Sequence, residues 1–205
     1  MTEKERMLAG KLYVAKDEEL AKDFMRSRKL VRKINETTEE QGAERIELFR
    51  TLFRKTGKNI WIETPFHCDY GCHISVGEEF YANYDCIMLD VCDITIGDYV
   101  LFGPRVSIYT AGHPIDASVR ASQLEFGKKV TIGNHVWVGG NTVINPGVTI
   151  GDNVVIGSRS VVTKDIPSGV IAVGNPCRVL LEITQEDRNY WEEQAKEYYN
   201  DREKK

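Results

Sequence analysis

The chain has 205 residues, of which 27 are Lys or Arg and 31 are Asp or Glu, so its formal net charge is -4. This balance argues against a nucleic-acid partner, because phosphate contacts require a basic stripe. No apolar run approaches the ~20 residues of a membrane span, and residues 2–6 lack the apolar centre of a signal peptide. The simplest expectation is a cytoplasmic enzyme that binds neither membrane nor nucleic acid.

The first 56 residues are charged and helix-prone, with two sets of apolar residues at approximately helical spacing. The first set is Leu20, Phe24, Leu30, Val31 and Ile34, and the second is Ile46, Leu48, Phe49, Leu52 and Phe53. Residues 35–38 separate the two sets, so residues 1–56 are predicted to form two or three helices. These helices would cap the following fold and cover its first strand edge.

From residue 60 to residue 108 an apolar residue recurs every six positions, with one displacement of two residues. Val76, Ala82 and Met88 share the first register, and Ile96, Phe102 and Ile108 share the second. The displacement predicts a bulge or an irregular turn near residues 91–93. Asp69 and Asn83 are polar residues in this part of the chain, and their plain interpretation is as turn residues on a solvated face.

The cysteines are expected to be reduced thiols, because their count of five is odd and no secretion signal is present. His67, Cys68, Cys72 and His73 are zinc-ligating residue types, but no second clustered pair completes a site. Cys68 lies eighteen residues before Cys86, which favours small residues packed on successive coils. We therefore predict that no metal is bound.

The six-residue rhythm stops at Tyr109 and resumes at Val130. Interruptions of this length in a regular solenoid are usually functional or disordered. We predict a projecting loop over about 110–129, with His113 at its root between Gly112 and Pro114. Because histidine exchanges protons near neutral pH, His113 is a candidate acid–base residue.

The clearest repeat runs from residue 130 to residue 162, and its period is six. Its aliphatic positions are Ile132, Val138, Ile144, Ile150, Ile156 and Val162. A constant period of six excludes an amphipathic helix and indicates a parallel β-helix. Three sides make a coil of eighteen residues, so residues eighteen apart should stack. The following glycines, Gly133, Gly139, Gly151 and Gly157, are expected to let the backbone turn each corner at low steric cost.

Residues 181–205 form a charged segment that is predicted to be a helix, with a near capping box at residues 184–187. The side chains available for packing are Ile183, Trp191, Ala195, Tyr198 and Tyr199. We expect this helix to pack on the solenoid or on a neighbouring subunit.

Seven segments resemble, in order and spacing, the hexapeptide-repeat O-acetyltransferases of the maltose, galactoside and nodulation type. They are AGKLY at 9–13, FYANY at 80–84, GHPID at 112–116, VWVGG at 136–140, INPGV at 144–148, TKDIP at 163–167 and GNPCR at 174–178. The resemblance implies a mainly β fold, with a left-handed parallel β-helix over 57–180 between an N-terminal helical segment and a C-terminal helix. It also implies a homotrimer whose active sites lie between neighbouring subunits.

The same resemblance implies transfer of an acetyl group from acetyl-CoA to a sugar hydroxyl, with the 6-hydroxyl of glucose or maltose favoured. His113 matches the family's general base, whose help is typically worth ~10²–10⁴ in rate. Asn83 matches the residue that orients the acceptor and stabilises the oxyanion. Asp17 and Asp69 match acceptor-binding positions. Val91 stands where the galactoside enzymes carry a further sugar-binding acid.

The family pattern also assigns the contacts with acetyl-CoA. They fall on Trp137, Gly140, Ser158, Thr163, Lys164 and Arg178. Lys164 and Arg178 can meet phosphate charge, and Gly140 leaves room for a close approach. Each has a plain alternative: Lys164 as a solvated cation, Gly140 as a corner, Trp137 as core. Leu181 replaces a basic residue common in the family, which weakens the phosphate clamp.

Two other classes of function stay open at this point. One is an acetyltransferase of the same fold that acts on a non-sugar hydroxyl, such as that of an antibiotic or serine. The other is a protein without acetyltransferase activity, either a non-catalytic solenoid scaffold or a zinc hydratase of the β-helix type. The hydratase would need three well-placed histidines.

Overall fold

The computed structural model describes residues 1–203, and helices lie before the repeats as predicted. They are α1 (Glu3–Leu8), α2 (Glu18–Asn35) and α3 (Gly42–Leu52), with a short strand β1 (Tyr13–Val14) after α1 and a 3₁₀ turn (Glu39–Gln41) before α3. Asp17 caps α2 by accepting the backbone N–H groups of Glu19 and Leu20. The helix ends at Asn35, where the sequence predicts the break.

The rest of the chain is a triangular parallel β-helix with three faces. Face 1 contains β2 (Ile60–Ile62), β5 (Phe80–Ala82), β8 (Leu101–Phe102), β13 (Trp137–Val138), β16 (Val155–Ile156) and β18 (Val170–Val173). Face 2 contains β3 (Phe66–Cys68), β6 (Cys86–Leu89), β9 (Ser107–Tyr109), β14 (Val143–Ile144) and β17 (Val161–Val162). Face 3 contains β4 (Ile74–Val76), β7 (Ile94–Ile96), β12 (Val130–Ile132) and β15 (Thr149–Ile150).

The predicted stacking of residues eighteen apart is confirmed on all three faces. The pairs are Ile132 with Ile150, Val138 with Ile156, and Ile144 with Val162. The first coils are two residues longer, since Ala82 pairs with Phe102 and Met88 with Ile108. This longer repeat explains the displaced register in the sequence.

The expected stacking of Cys68 on Cys86 is wrong, because the first coil is longer than eighteen residues. Cys68 pairs with Met88, and Cys86 pairs with Phe66. All five cysteines are free thiols. Their side chains therefore fill separate positions in the packing of the coils.

The N-terminal helices close the first coil through an aromatic contact. Phe66 of β3 is fully buried, and its ring centroid lies 5.3 Å from that of Phe49 on α3 and 5.7 Å from that of Phe53. Val31 and Ile34 of α2 join the same core, which runs through the coils as far as Cys177. The helices thus cover apolar surface that the first coil would otherwise expose.

The repeat glycines do not turn the corners, contrary to the expectation. The residues with positive φ in these coils stand two places further on, at His135, Asn141, Asn153 and Arg159. A Cβ built on Gly139 would lie 2.5 Å from the backbone nitrogen of Ser158. On Gly133 it would lie 2.8 Å from the carbonyl carbon of Gly151. The glycines therefore permit close stacking of successive coils.

The predicted projecting loop folds back on the N-terminal segment. It contains β10 (Ala111–Gly112), α4 (Ala117–Ala121) and β11 (Leu124–Gly127). Strand β11 pairs antiparallel with β10 on one side and with β1 on the other. The loop is therefore held by residues more than a hundred positions earlier in the chain.

The chain ends in β19 (Arg178–Glu182), which is antiparallel to β18, followed by α5 (Gln185–Glu203). Side chains 185–202 are all exposed, and Trp191 keeps 68% of its surface accessible. Only the start of α5 approaches its own solenoid, where Trp191 borders a shallow cavity with Val155 and Ile171. Docking of the rest on a neighbouring subunit stays a prediction. Within residues 1–203, no helix has the length and apolar character needed to cross a membrane.

Candidate active site

His113 lies immediately after β10, and its side chain is exposed. It opens on a cavity of about 390 Å³ that the N-terminal segment and β11 complete with Lys16, Gln123 and Glu125. The loop root is fixed by Arg120, whose Nη1 donates to the carbonyl oxygens of Pro114 and Ile115 at 2.8 and 2.9 Å. The histidine is thus presented to solvent from a folded loop.

A second cavity of about 380 Å³ adjoins the first and contains Asp69. It shares Ala15, Lys16 and Glu125 with the His113 cavity. Tyr70 and Val91 complete part of its wall. The structure therefore places His113 and Asp69 in two adjoining cavities with a shared wall, which together are called the depression below, and Val91 lines the Asp69 side.

The second cavity is lined by two carboxylates, Asp69 and Glu125, and by the cation Lys16. Burial raises the pKa of Asp69, Arg28 acts against this shift, and Glu125 adds to it. Tyr13 donates its hydroxyl to Glu125 Oε2 at 3.0 Å, and burial together with the Glu125 charge raises the pKa of Tyr13. Tyr13 therefore stays a neutral donor, while the carboxylates are the acceptors of the cavity.

Asp17 has a structural task at the start of α2. Its Oδ1 accepts the N–H of Glu19 at 2.9 Å and that of Leu20 at 3.1 Å. Of the described residues in this segment, Lys16 and not Asp17 lines both cavities. Asp17 thus lies one residue away from the depression.

Asn83 lies at a different edge of the solenoid, between faces 1 and 2. Its Oδ1 accepts the N–H of Tyr84 at 2.8 Å. Gly140 and Ser158 stack on the same edge two and three coils further on, where the Gly140 carbonyl accepts the N–H of Arg159 at 2.9 Å. The backbone pairing therefore places these two predicted coenzyme A positions in line with Tyr84, one residue after Asn83.

The other predicted coenzyme A positions are distributed around the upper coils. Thr163 and Lys164 follow β17 and are exposed. Trp137 projects from face 1 with 55% of its surface accessible, so it is not a core residue. Arg178 begins β19, and its Nη1 donates to the carbonyl oxygen of Cys177 at 2.7 Å.

His113 and Asn83 are not brought together within one chain. Asn83 marks the start of the face 2 segment, and Asp90 marks its end, where the depression lies. Strand β6 (Cys86–Leu89) lies between them, and its four residues alone span roughly 13 Å. The depression with His113 and the edge with Asn83 are therefore at opposite sides of face 2.

Sequence reasoning missed Glu125. Glu125 reaches the depression because β11 pairs with β1, which joins it to Tyr13 across 112 residues. No local pattern signals such a contact. His73 lies in a turn, but only 3% of it is exposed, and burial lowers its pKa.

His67 and His135, in contrast, are exposed. His135 stacks on Tyr99 with ring centroids 5.0 Å apart. Within residues 1–203, no group of three or more His, Cys, Asp and Glu side chains is arranged to hold a metal ion. The absence of a metal stays a prediction.

Comparison with known proteins places this architecture in one class. Residues 6–57 match the maltose acetyltransferase hexapeptide capping motif, and residues 129–164 match the bacterial transferase hexapeptide (six repeats). The galactoside O-acetyltransferase of Escherichia coli is 41% identical over 91% of this chain and 92% of that protein. Nodulation protein L of Rhizobium meliloti is 47% identical over 87% of this chain and 97% of that protein.

Solved structures agree with these matches. A maltose O-acetyltransferase from Clostridium difficile 630 is 56% identical with a TM-score of 0.89, covering 90% of this chain and 99% of that one. A galactoside acetyltransferase in complex with coenzyme A is 42% identical with a TM-score of 0.89, covering 92% and 94%. The fold and these likenesses define a hexapeptide-repeat transferase. More narrowly, the chain belongs to the hexapeptide-repeat sugar O-acetyltransferase family, which includes the maltose, galactoside and nodulation acetyltransferases.

Proposed function

We propose that the protein transfers the acetyl group of acetyl-CoA to a sugar hydroxyl, with the 6-hydroxyl of glucose or maltose as the acceptor. The observation that carries this proposal is the depression that joins the exposed His113 to the half-buried Asp69. A sugar needs hydrogen-bond acceptors beside a base, and this depression supplies both. The similarity to a maltose O-acetyltransferase supports the choice of sugar.

His113 acts as the general base in the proposed reaction. It accepts the proton of the sugar hydroxyl while the hydroxyl oxygen attacks the thioester carbon, so that the new C–O bond forms. When the C–S bond breaks, His113 returns the proton to the thiolate. Such help is typically worth ~10²–10⁴ in rate. No acyl-enzyme is required, which agrees with the burial of Cys68, Cys86 and Cys92.

The acceptor is held by carboxylates. Asp69 can accept hydrogen bonds from two hydroxyls, and Glu125 faces the same depression with Tyr13 beside it. Asp17 contributes to acceptor binding either as part of the N-terminal segment beside the depression or indirectly. In the indirect role it caps α2 and so positions Lys16. Asn83 orients the acceptor and stabilises the oxyanion that develops on the acetyl group.

Acetyl-CoA lies along the upper coils in this proposal. Gly140 and Ser158 share an edge where side chains are small, and Trp137 offers an exposed ring for the pantetheine chain. Thr163, Lys164 and Arg178 would meet the polar end, the two cations pairing with phosphate charge. Relatives solved with coenzyme A and with acetyl-CoA support this assignment.

The proposed site requires more than one copy of the chain. His113 and Asn83 lie on opposite sides of face 2, with the length of strand β6 between the two edges. A homotrimer would place the His113 depression of one subunit against the Asn83 edge of the next. This arrangement makes each active site a cleft between subunits.

Thiol release from acetyl-CoA tests the proposed activity. Wild type and His113→Ala are each offered glucose, maltose, a galactoside, chloramphenicol and serine. Release that depends on glucose or maltose and falls by ~10²-fold or more in His113→Ala supports the proposal. His135→Ala is the matched control, because this exposed histidine stacks on Tyr99 away from the depression. Release only with chloramphenicol or serine would mean that the acceptor is not a sugar. No release with any acceptor would overturn the proposed acetyltransferase activity.

A further inference from the structure

Asp90 is a buried acid that the proposed mechanism does not use. It follows β6 directly, and 0% of its surface is exposed. It lies behind the acceptor cavity without lining it, since Asp69, Tyr70 and Val91 form that wall. Its carboxylate is therefore unable to touch a bound sugar directly.

The Asp90 carboxylate is instead saturated by the backbone of one turn. Oδ1 accepts the N–H of Asp69 at 3.1 Å and that of Tyr70 at 2.8 Å. Oδ2 accepts the N–H of His73 at 3.2 Å. Between these residues Gly71 adopts a left-handed conformation with φ of 72°. A single side chain thus fixes both ends of the turn formed by residues 69–73.

The backbone of Asp90 holds the same turn from a second direction. Its carbonyl oxygen accepts a hydrogen bond from His73 Nδ1 at 2.7 Å, which makes Nδ1 the protonated nitrogen of the ring. The His73 ring packs on Tyr70, with centroids 5.3 Å apart. Asp69 and Tyr70 are therefore positioned through Asp90 and His73 together.

A carboxylate is a costly side chain at this place. Burial raises the pKa of Asp90 to about 7, while hydrogen bonds from the backbone N–H groups of Tyr70, Gly71 and His73 act against the shift. The backbone N–H donors of the turn explain why a carboxylate is nevertheless present at position 90. Only a side chain that accepts at both oxygens satisfies N–H groups arriving from both ends of the turn.

We infer that Asp90 is a positioning residue for acceptor recognition, which acts by holding the 69–73 turn so that Asp69 is presented to the sugar. This inference rests on the proposed function, since it deepens the role of the Asp69 cavity. Asparagine at position 90 would keep the size of the side chain but direct an NH₂ group at one of the N–H donors. The turn would then shift, and Asp69 with it.

Steady-state kinetics of Asp90→Asn give the first test. We expect the acceptor KM to rise about tenfold, as for a lost hydrogen bond to a charged group, with kcat and the acetyl-CoA KM within about twofold of wild type. A double-mutant cycle with Asp69→Asn separates positioning from general stability. If Asp90 acts through Asp69, the double variant should have the acceptor KM of Asp69→Asn alone, within about twofold.

Several results would overturn the inference. One is that the effects of Asp90→Asn and Asp69→Asn on the acceptor KM multiply in the double variant. The others are that Asp90→Asn weakens acetyl-CoA binding as much as acceptor binding, or that it leaves the acceptor KM unchanged. Asp98→Asn is the matched control, because Asp98 is also a corner acid that accepts a backbone N–H, from Glu78 at 2.8 Å, and it lies outside both cavities. Its substitution should leave the acceptor KM unchanged.

Amide hydrogen exchange distinguishes this inference from the proposed function. In Asp90→Asn the amides of Asp69, Tyr70 and His73 should exchange about tenfold faster or more, while those of β6 stay protected. Unchanged exchange overturns the inference whatever the acceptor is. A wild type that acetylates no sugar but shows this exchange pattern would overturn the proposed function and leave Asp90 as the residue that holds the turn.

A second variant serves if Asp90→Asn does not fold. His73→Phe keeps a ring against Tyr70 and removes the hydrogen bond to the Asp90 carbonyl. We expect the acceptor KM of His73→Phe to rise by about threefold, which is less than the rise expected for Asp90→Asn. An unchanged KM and unchanged exchange in a folded His73→Phe protein would overturn the inference.

Discussion

Asp69 combines the charge and the partial burial that acceptor binding requires. It lines the depression together with Glu125 and Tyr13. Because the ionised form is the one that accepts hydroxyl hydrogens at both oxygens, its protonation state controls the proposed sugar contact. Arg28 favours that ionised form, but burial outweighs it and raises the pKa of Asp69.

Acceptor affinity should therefore fall as the pH is lowered, and the fall should begin above the range of an ordinary aspartate. The sign follows because the contact is complete above the raised pKa and is lost as Asp69 takes up a proton. Calorimetry of sugar binding between about pH 7 and pH 4.5, in a His113→Ala background that removes the proposed base, measures it. Asp69→Asn in the same background is the control and should lose this slope. Parallel slopes in both proteins would contradict the prediction.

Residue positions could be predicted where one short motif carries them. His113 follows from the interruption of the repeat and its glycine and proline neighbours, and the structure does place it in a projecting loop. Glu125 and Asp90 could not be found this way. Glu125 depends on a strand pairing across more than a hundred residues, and Asp90 depends on backbone N–H groups, which have no signature in the side-chain pattern.

At the scale of elements, the period of six was sufficient for the architecture of the coils. Each aliphatic position of the repeat is buried and stacks on its equivalent one coil away. The predicted reason for the glycines was wrong, since a corner residue and a close stacking contact both favour glycine and the sequence does not distinguish them. Only the φ angles separate these two causes.

Two glycine substitutions test this distinction. Gly139→Ala should lower the free energy of unfolding by about 3 kcal/mol, because its Cβ would meet backbone atoms of the next coil at 2.5 and 2.9 Å. Gly169→Ala is the control, with nothing within 4 Å of the new Cβ but a φ of +73°. Its cost should be only about 1 kcal/mol, from the left-handed backbone.

Urea denaturation measures both variants and gives the free energy of unfolding from the midpoint and slope. The stacking interpretation predicts that Gly139→Ala is the more damaging of the two. If Gly169→Ala costs as much or more, backbone conformation rather than contact between coils is the main demand on glycine in this solenoid.

At the scale of the molecule, the three faces differ in what they offer to a second copy. The outward residues of face 3 are Ser75, Thr95, Thr131 and Thr149, which are polar. Face 1 instead exposes Trp61, Leu101 and Trp137. An exposed apolar column of this kind is typical of a surface that binds a partner. Face 1 is therefore one surface where we expect the subunits of the proposed trimer to meet.

Assembly is the part that the sequence alone predicts least. Stacking between coils repeats a local rule, so the period reveals it, whereas contacts between subunits depend on the shape of whole faces. The homotrimer was predicted from the family resemblance alone. The geometry adds a reason only if His113 and Asn83 act in one reaction, because the two residues lie on opposite sides of face 2 in one chain.

Mixing two inactive variants tests whether the proposed site is shared between subunits. His113→Ala removes the base, and Asn83→Ala removes the oxyanion donor, which is typically worth ~10²–10³ in rate. If each site takes His113 from one subunit and Asn83 from the next, co-assembly of equal amounts restores both side chains in about a quarter of the sites. Activity near that fraction of wild type, measured as sugar-dependent thiol release, is the expected result.

The control pair is His113→Ala with Asp69→Ala, because these two residues face one depression of the same chain. Every site of that mixture lacks one of the two side chains, so no recovery is expected. Recovery of activity in the control pair would mean that His113 and Asp69 of one chain belong to different active sites. Absence of recovery in the His113 and Asn83 pair, from trimers shown by mass to be mixed, would mean that Asn83 of the neighbouring subunit does not complete the site. Recovery confined to the first pair would establish that catalysis belongs to the assembly, since no single chain presents both groups to one sugar.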